Sequence, residues 1–149
     1  MLVSSSNISL LARMFVAILI ELLEQYDPFT TKSEAISTIK NGIGAARKCE
    51  VLPSGWFKEQ ITEWEAEKAI TFELVECSLP VNNLKHSYVL KDLGGKTHIS
   101  QCMQYELKYG LAGRMLDKFI VRKKWDKGIK LFFNGLKEYA EKEQGSLSQ

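Results

Sequence analysis

Few side chains in this sequence can do chemistry near neutral pH, and their spacing narrows what that chemistry can be. There are two histidines, His86 and His98, and three cysteines, Cys49, Cys77 and Cys102. Neither set has metal-ligand spacing: the sequence holds no C-x-x-C and no H-E-x-x-H, so no metal is expected. An odd, scattered trio of cysteines fits small packed thiols better than a disulfide framework. No glycine-rich phosphate loop, nucleophile elbow or calcium loop occurs, and no cofactor is expected.

His86 is the side chain best suited to move a proton. Alternation puts Leu84, His86, Tyr88 and Leu90 on one face of a strand. The Gly94-Gly95 turn returns the chain and suggests a register with Leu90 opposite Thr97, Tyr88 opposite Ile99 and His86 opposite Gln101. Ile99, Gln101, Met103, Tyr105 and Leu107 then share the inner face of the returning strand. The wall so formed is apolar apart from His86, Tyr88, Gln101 and Tyr105, which is the make-up of a ligand pocket. A dry core whose polar tips bond one another is the alternative. Three roles stay open for His86: acid or base, hydrogen bonding to a ligand or water, and a structural histidine. His98 falls on the outer face.

Arg47 and Glu59 are expected to oppose each other across a turn at 53–55. An inward charged pair is costly unless each group is satisfied. It either fixes register or meets a polar ligand head group through the guanidinium fork. Phe72 alternates with Ile70 and Leu74 along another strand. Phe29, together with Met115 and Phe119 at the start of the last helix, can form an adjustable gate, because Met is flexible and polarizable. A plain core stripe is the alternative there. Arg114, Lys118, Arg122, Lys123, Lys124, Lys127 and Lys130 make that helix basic, as a solvated face or as a surface for transient contact with anionic lipid.

These residues need elements to hold them. The chain has 149 residues, which suits one domain over 1–144 with a frayed end at 145–149. Net charge is +2, with 20 Lys and Arg against 18 Asp and Glu, so no strong field draws nucleic acid. Free thiols point to a reducing, cytoplasmic setting. The apolar run at 14–20 is shorter than the roughly 20 residues a bilayer span needs, and its flanks do not fit a secretory signal. It reads as part of a buried helix over 10–25, capped by Ser9 and ended by Asp27-Pro28. A weak strand at 2–8 precedes it. Strands follow at 33–39, 45–51, 56–64, 69–76, 84–91 and 96–108. In the third of these, Phe57, Glu59, Ile61 and Glu63 share one side. Residues 111–143 then carry a helical stripe of Met115, Phe119, Trp125, Ile129, Phe132, Phe133, Leu136 and Ala140. The class is α+β: an antiparallel meander with one long helix across it. A single helix fills a wide curved sheet poorly, and such geometry leaves a cavity.

Several segments in this order resemble the START-like superfamily of polyketide cyclases/dehydrases and lipid-transport proteins, to which the birch-pollen-allergen fold belongs. They are YDPFTTKSEAIS at 26–37, GIGAARKCEV at 42–51, FKEQITEWEAEKAITFELVE at 57–76, GGKTHISQCMQYEL at 94–107 and WDKGIKLFFNGLKEYAE at 125–141. The first helix of that superfamily carries a Val-Trp pair, where this chain has Phe15-Val16. The resemblance implies a helix-grip fold, with a seven-stranded antiparallel sheet curved around a long C-terminal helix and a cavity for a lipid or polyketide-like molecule. It implies no reaction, since the superfamily has no single catalytic motif. Binding or transport of a hydrophobic or amphipathic small molecule is therefore the leading expectation. One rival is a cyclase/dehydrase-type enzyme with His86 or Tyr88 as acid or base. Another is a co-chaperone-like protein-interaction module, which requires an exposed apolar patch.

Overall fold

Short turns separate the strand-forming segments, so each strand pairs with the next. The computed structural model describes residues 2–4, 22–94, 96–110 and 120–147. The strands are β1 Leu2–Ser4, β2 Thr30–Ala35, β3 Ala46–Val51, β4 Trp56–Glu65, β5 Ala69–Cys77, β6 Val81–Asp92 and β7 Lys96–Leu107. The sheet is antiparallel throughout, in the order β1-β7-β6-β5-β4-β3-β2. Six strands, β2 to β7, form the meander, and the segment expected as a first strand over 2–8 shrinks to the three ladder residues of β1 along β7.

Of the helix expected over 10–25, only the end lies within the described residues. Leu23–Gln25 forms a 3-10 turn. Asp27 then fixes the entry to β2, accepting from the Phe29 N–H at 3.2 Å and the Thr30 hydroxyl at 2.6 Å. This local bonding starts β2 earlier than the expected 33–39. The strand stops at Ala35, where a loop takes over. Ser37 Oγ accepts from the Ala46 N–H at 2.9 Å across the mouth of that loop, and Gly42 and Gly44 take left-handed conformations within it.

Two expectations of register are corrected. In β4, bulges lie between Lys58 and Glu59 and between Ile61 and Glu63. The second bulge reverses the alternation: Glu59 and Ile61 are buried, Glu63 is exposed, and Trp64 packs on the core instead. In the β6–β7 hairpin, Leu90 faces Ile99, Tyr88 faces Gln101 and His86 faces Met103. Leu93 N–H donates to Lys96 O at 2.8 Å and Gly94 has φ +69°, so the loop is two residues long and centred on the glycine pair. The expected register centred the turn one residue earlier, on a leucine that would then need the left-handed region. The shift is two residues, so every side chain keeps its face.

Helix α1, Arg122–Leu147, runs past the boundary expected at 144. Phe132, Phe133 and Tyr139 pack on the core that contains Leu136 and Ala140, and the remaining core comes from the sheet and the 3-10 turn: Leu23, Tyr26, Ile61, Ile70, Phe72 and Ile99. Each such side chain contributes about 1.5–3 kcal/mol by leaving water. Gly135 lets α1 touch the backbone of Tyr26, where any β-carbon would meet the Tyr26 carbonyl. No helix among the described residues is long and apolar enough to cross a membrane.

Candidate functional site

The turn between β3 and β4 sets Arg47 directly across from Glu59. Both side chains are buried, at 2% and 1% exposure. Arg47 Nε and Nη2 both reach Glu59 Oε1. That leaves Oε2 for His86, whose Nε2 lies 2.7 Å away. His86 comes from β6, and Phe72 of β5 lies under both partners. The Arg47 guanidinium carbon sits 4.7 Å from the Phe72 ring centroid, and the His86 ring 5.3 Å from it. On the other side of the imidazole, Nδ1 is 3.3 Å from Tyr88 Oη and 3.5 Å from Gln101 Nε2. Gln101 Nε2 also donates to Tyr88 Oη at 3.0 Å. One polar network thus runs Arg47–Glu59–His86–Tyr88–Gln101, contributed by β3, β4, β6 and β7.

The electrostatics follow from burial and pairing. Burial pushes the Glu59 carboxyl upward, but Arg47 and then His86 outweigh it and hold the group at about 2. Burial works against the charged form of Arg47 too, and the Glu59 carboxylate more than restores it, raising its pKa. Burial raises the Tyr88 phenol above its ordinary value. At neutral pH the floor therefore holds a guanidinium, a carboxylate and a protonated phenol. Two buried polar atoms of this network have no hydrogen-bond partner among the described residues: Arg47 Nη1 and Gln101 Oε1.

Between this polar network and α1 lies a pocket of about 400 Å³. Arg47, Glu59, His86, Tyr88 and Gln101 all wall it. Phe29 lines it as well, is 42% exposed, and so stands at its opening. Phe72 does not line the pocket; it backs Arg47 and His86 from beneath. Tyr105 also stands off the pocket, stacked on Trp125 with centroids 5.0 Å apart and planes 14° apart. Met115 and Phe119 lie outside the described residues. Of the basic run, Arg122, Lys123, Lys124, Lys127 and Lys130 are exposed on α1 and Lys124 reaches the pocket wall, while Arg114 and Lys118 lie outside the described residues.

Much of the rest of the wall reads from sequence as inner strand face or helical stripe and not as site residues. Leu84, Met103, Trp125, Ile129 and Phe132 are among its apolar members. Their signal was present, since each sits on the inner face of a strand or on the helical stripe. Leu52 and Leu79 come from turns, where periodicity says nothing. Three exposed isoleucines, Ile36, Ile39 and Ile43, occupy the loop after β2, and none of them lines the pocket. Among the described residues no group of three or more His, Cys, Asp or Glu side chains can hold a metal ion.

The sequence profile of the family described as polyketide cyclase / dehydrase and lipid transport matches residues 15–141. The chain belongs to that family. Solved structures carry the same START-like fold as this member of the polyketide cyclase/dehydrase and lipid transport family. A START superfamily protein from Mycobacterium smegmatis is 17% identical with a TM-score of 0.75, over 95% of this chain and 94% of that one. A protein from Thermus thermophilus is 19% identical with a TM-score of 0.75, over 93% and 91%. Major latex-like protein 151 from Panax ginseng is 11% identical with a TM-score of 0.66, over 93% and 92%. No curated protein matches the chain.

Proposed function

We propose that this member of the family binds a hydrophobic or amphipathic small molecule in the pocket between the sheet and α1. The observation that carries the reading is the composition of that space: apolar walls from Leu84, Met103, Trp125, Ile129 and Phe132 close over one buried polar network. Burial of apolar ligand surface, at roughly 25 cal/mol per Å², supplies affinity, and the polar network sets orientation. Arg47 then serves the ligand's polar end while Glu59 holds the guanidinium in place. The decisive experiment is native mass spectrometry of the protein purified from its own host, followed by extraction of what co-purifies. An added mass that disappears in Tyr88→Ala is expected. Bare protein from the host, with no uptake of added apolar probes, sinks the reading.

The Glu59–His86 contact favours a second reading, an acid–base enzyme of the cyclase or dehydrase kind. With the Nε2 proton given to Glu59, Nδ1 carries the lone pair and faces the Tyr88 hydroxyl. A carboxylate that fixes one imidazole tautomer is how a base is oriented. Exchange of deuterium from solvent into a bound ketone next to its carbonyl, followed by NMR, tests it. Exchange lost in His86→Gln with binding retained supports catalysis, whereas exchange no faster than in free solution speaks for binding alone.

A further inference from the structure

We infer that the pocket is built for a neutral ligand carrying a hydrogen-bond acceptor and a hydroxyl together, and against a carboxylate. This rests on the binding reading above and specifies its ligand. Arg47 Nη1 and Gln101 Oε1 are buried polar atoms without a partner among the described residues, and both residues wall the pocket. They have opposite hydrogen-bonding sense: the guanidinium N–H can only donate and the amide oxygen can only accept. Leaving a buried polar atom unpaired is costly, so a ligand that satisfies both removes that cost at two atoms.

The orientation of the Gln101 amide follows from the network when His86 is neutral. Glu59 then accepts the His86 Nε2 proton and Nδ1 is an acceptor. Gln101 must therefore turn its NH₂ toward Nδ1 and Tyr88 Oη, at 3.5 and 3.0 Å, and its oxygen away from them. The preference for a neutral ligand follows from charge. Arg47 is already balanced by Glu59, the two being in direct contact. A carboxylate bonded to Nη1 would bring one more negative charge beside a cation that is already paired, at a large desolvation cost; Lys124, the other cation of the wall, is exposed to solvent. A carbonyl takes the Nη1 hydrogen bond without that cost, and a hydroxyl takes Gln101 Oε1.

Four ten-carbon probes separate the possibilities by calorimetry at pH 7: decanoic acid, 2-decanone, 2-decanol and 4-hydroxy-2-decanone. The hydroxyketone is expected to bind about tenfold more tightly than the ketone or the alcohol, with the acid weakest of the four. Arg47→Met leaves Glu59 buried and unpaired and is at risk of unfolding, so Gln101→Leu carries the mutational arm. In that variant, with its circular dichroism unchanged, the hydroxyketone should lose its roughly tenfold advantage over the ketone. Tightest binding by decanoic acid overturns the inference, as does equal affinity across the polar probes; in both cases the pocket itself stands. If none of the four binds, the binding reading falls and this inference with it.

Discussion

A β-carbon on Gly135 would lie 2.0 Å from the backbone oxygen of Tyr26. At that separation something must move, and the obstacle is main chain rather than a pliable side-chain tip. Replacing a mid-helix glycine by alanine ordinarily stabilises by up to about 1 kcal/mol through helix propensity. Here the clash costs about 1–3 kcal/mol or more. Gly135→Ala should therefore lower the melting temperature by about 3–8 °C, measured by circular dichroism. A melting temperature at or above that of the parent chain means that α1 does not pack this closely on Tyr26.

The buried carboxylate makes stability depend on acid in a defined window. The folded-state pKa of Glu59 is lowered from 4.5 to about 2, so the native state binds this proton less readily than the unfolded chain. Its contribution is complete above about 4.5 and is lost as pH falls toward about 2. A shift of that size corresponds to about 3 kcal/mol. Urea midpoints measured from about pH 6 to pH 2 should decline through this window. Glu59→Gln should be less stable at pH 7 by about 3–5 kcal/mol, because Arg47 is left charged and unpaired, and its acid decline should be shallower. Equal acid slopes in both proteins count against the assignment.

Much of the fold is legible in the sequence, for physical reasons that also mark where it stops. Period-two burial in β5 to β7 fixes which face Phe72, His86, Tyr88, Ile99 and Gln101 occupy, and even a two-residue error in the hairpin leaves those faces unchanged. Arg47 and Glu59 can be paired from sequence because a short turn joins their strands. The His86–Glu59 contact cannot be read this way, because β5 separates the two strands and the spacing of residues along a chain says nothing of reach across a neighbour. The bulge that turns Glu63 outward is equally silent, since neither glycine nor proline marks it. The orphaned atoms of Arg47 and Gln101 emerge only once every partner has a position.

Thiol chemistry should sort the three cysteines by burial. Cys102 is exposed, Cys77 is half-buried, and Cys49 is buried beside Ser33 Oγ at 3.6 Å. Burial pushes the Cys49 thiol up, which suppresses the reactive thiolate. In native protein a disulfide reagent should modify Cys102 first and leave Cys49 untouched until the chain unfolds. Early modification of Cys49, located by peptide mapping, contradicts the packing of β3 against β2.

Trp125 is the tryptophan that lines the pocket; Trp56 and Trp64 do not. A neutral apolar probe should perturb tryptophan emission chiefly through Trp125. The change should be largely lost in Trp125→Phe and kept in Trp64→Phe. Tyr88→Ala should weaken probe binding by about tenfold, whereas Tyr105, which stacks on Trp125 from outside the pocket wall, should cost less when replaced by Ala. Equal losses in the two tyrosine variants place the probe outside this pocket.

Glu59 commits one oxygen to Arg47 and the other to His86. Glu59 therefore has no counter-charge to offer, and an amine arriving at the network finds its would-be partner already taken. At this end of the pocket selectivity against cations is built in by occupancy rather than by repulsion, and it persists as long as both neighbours hold their places.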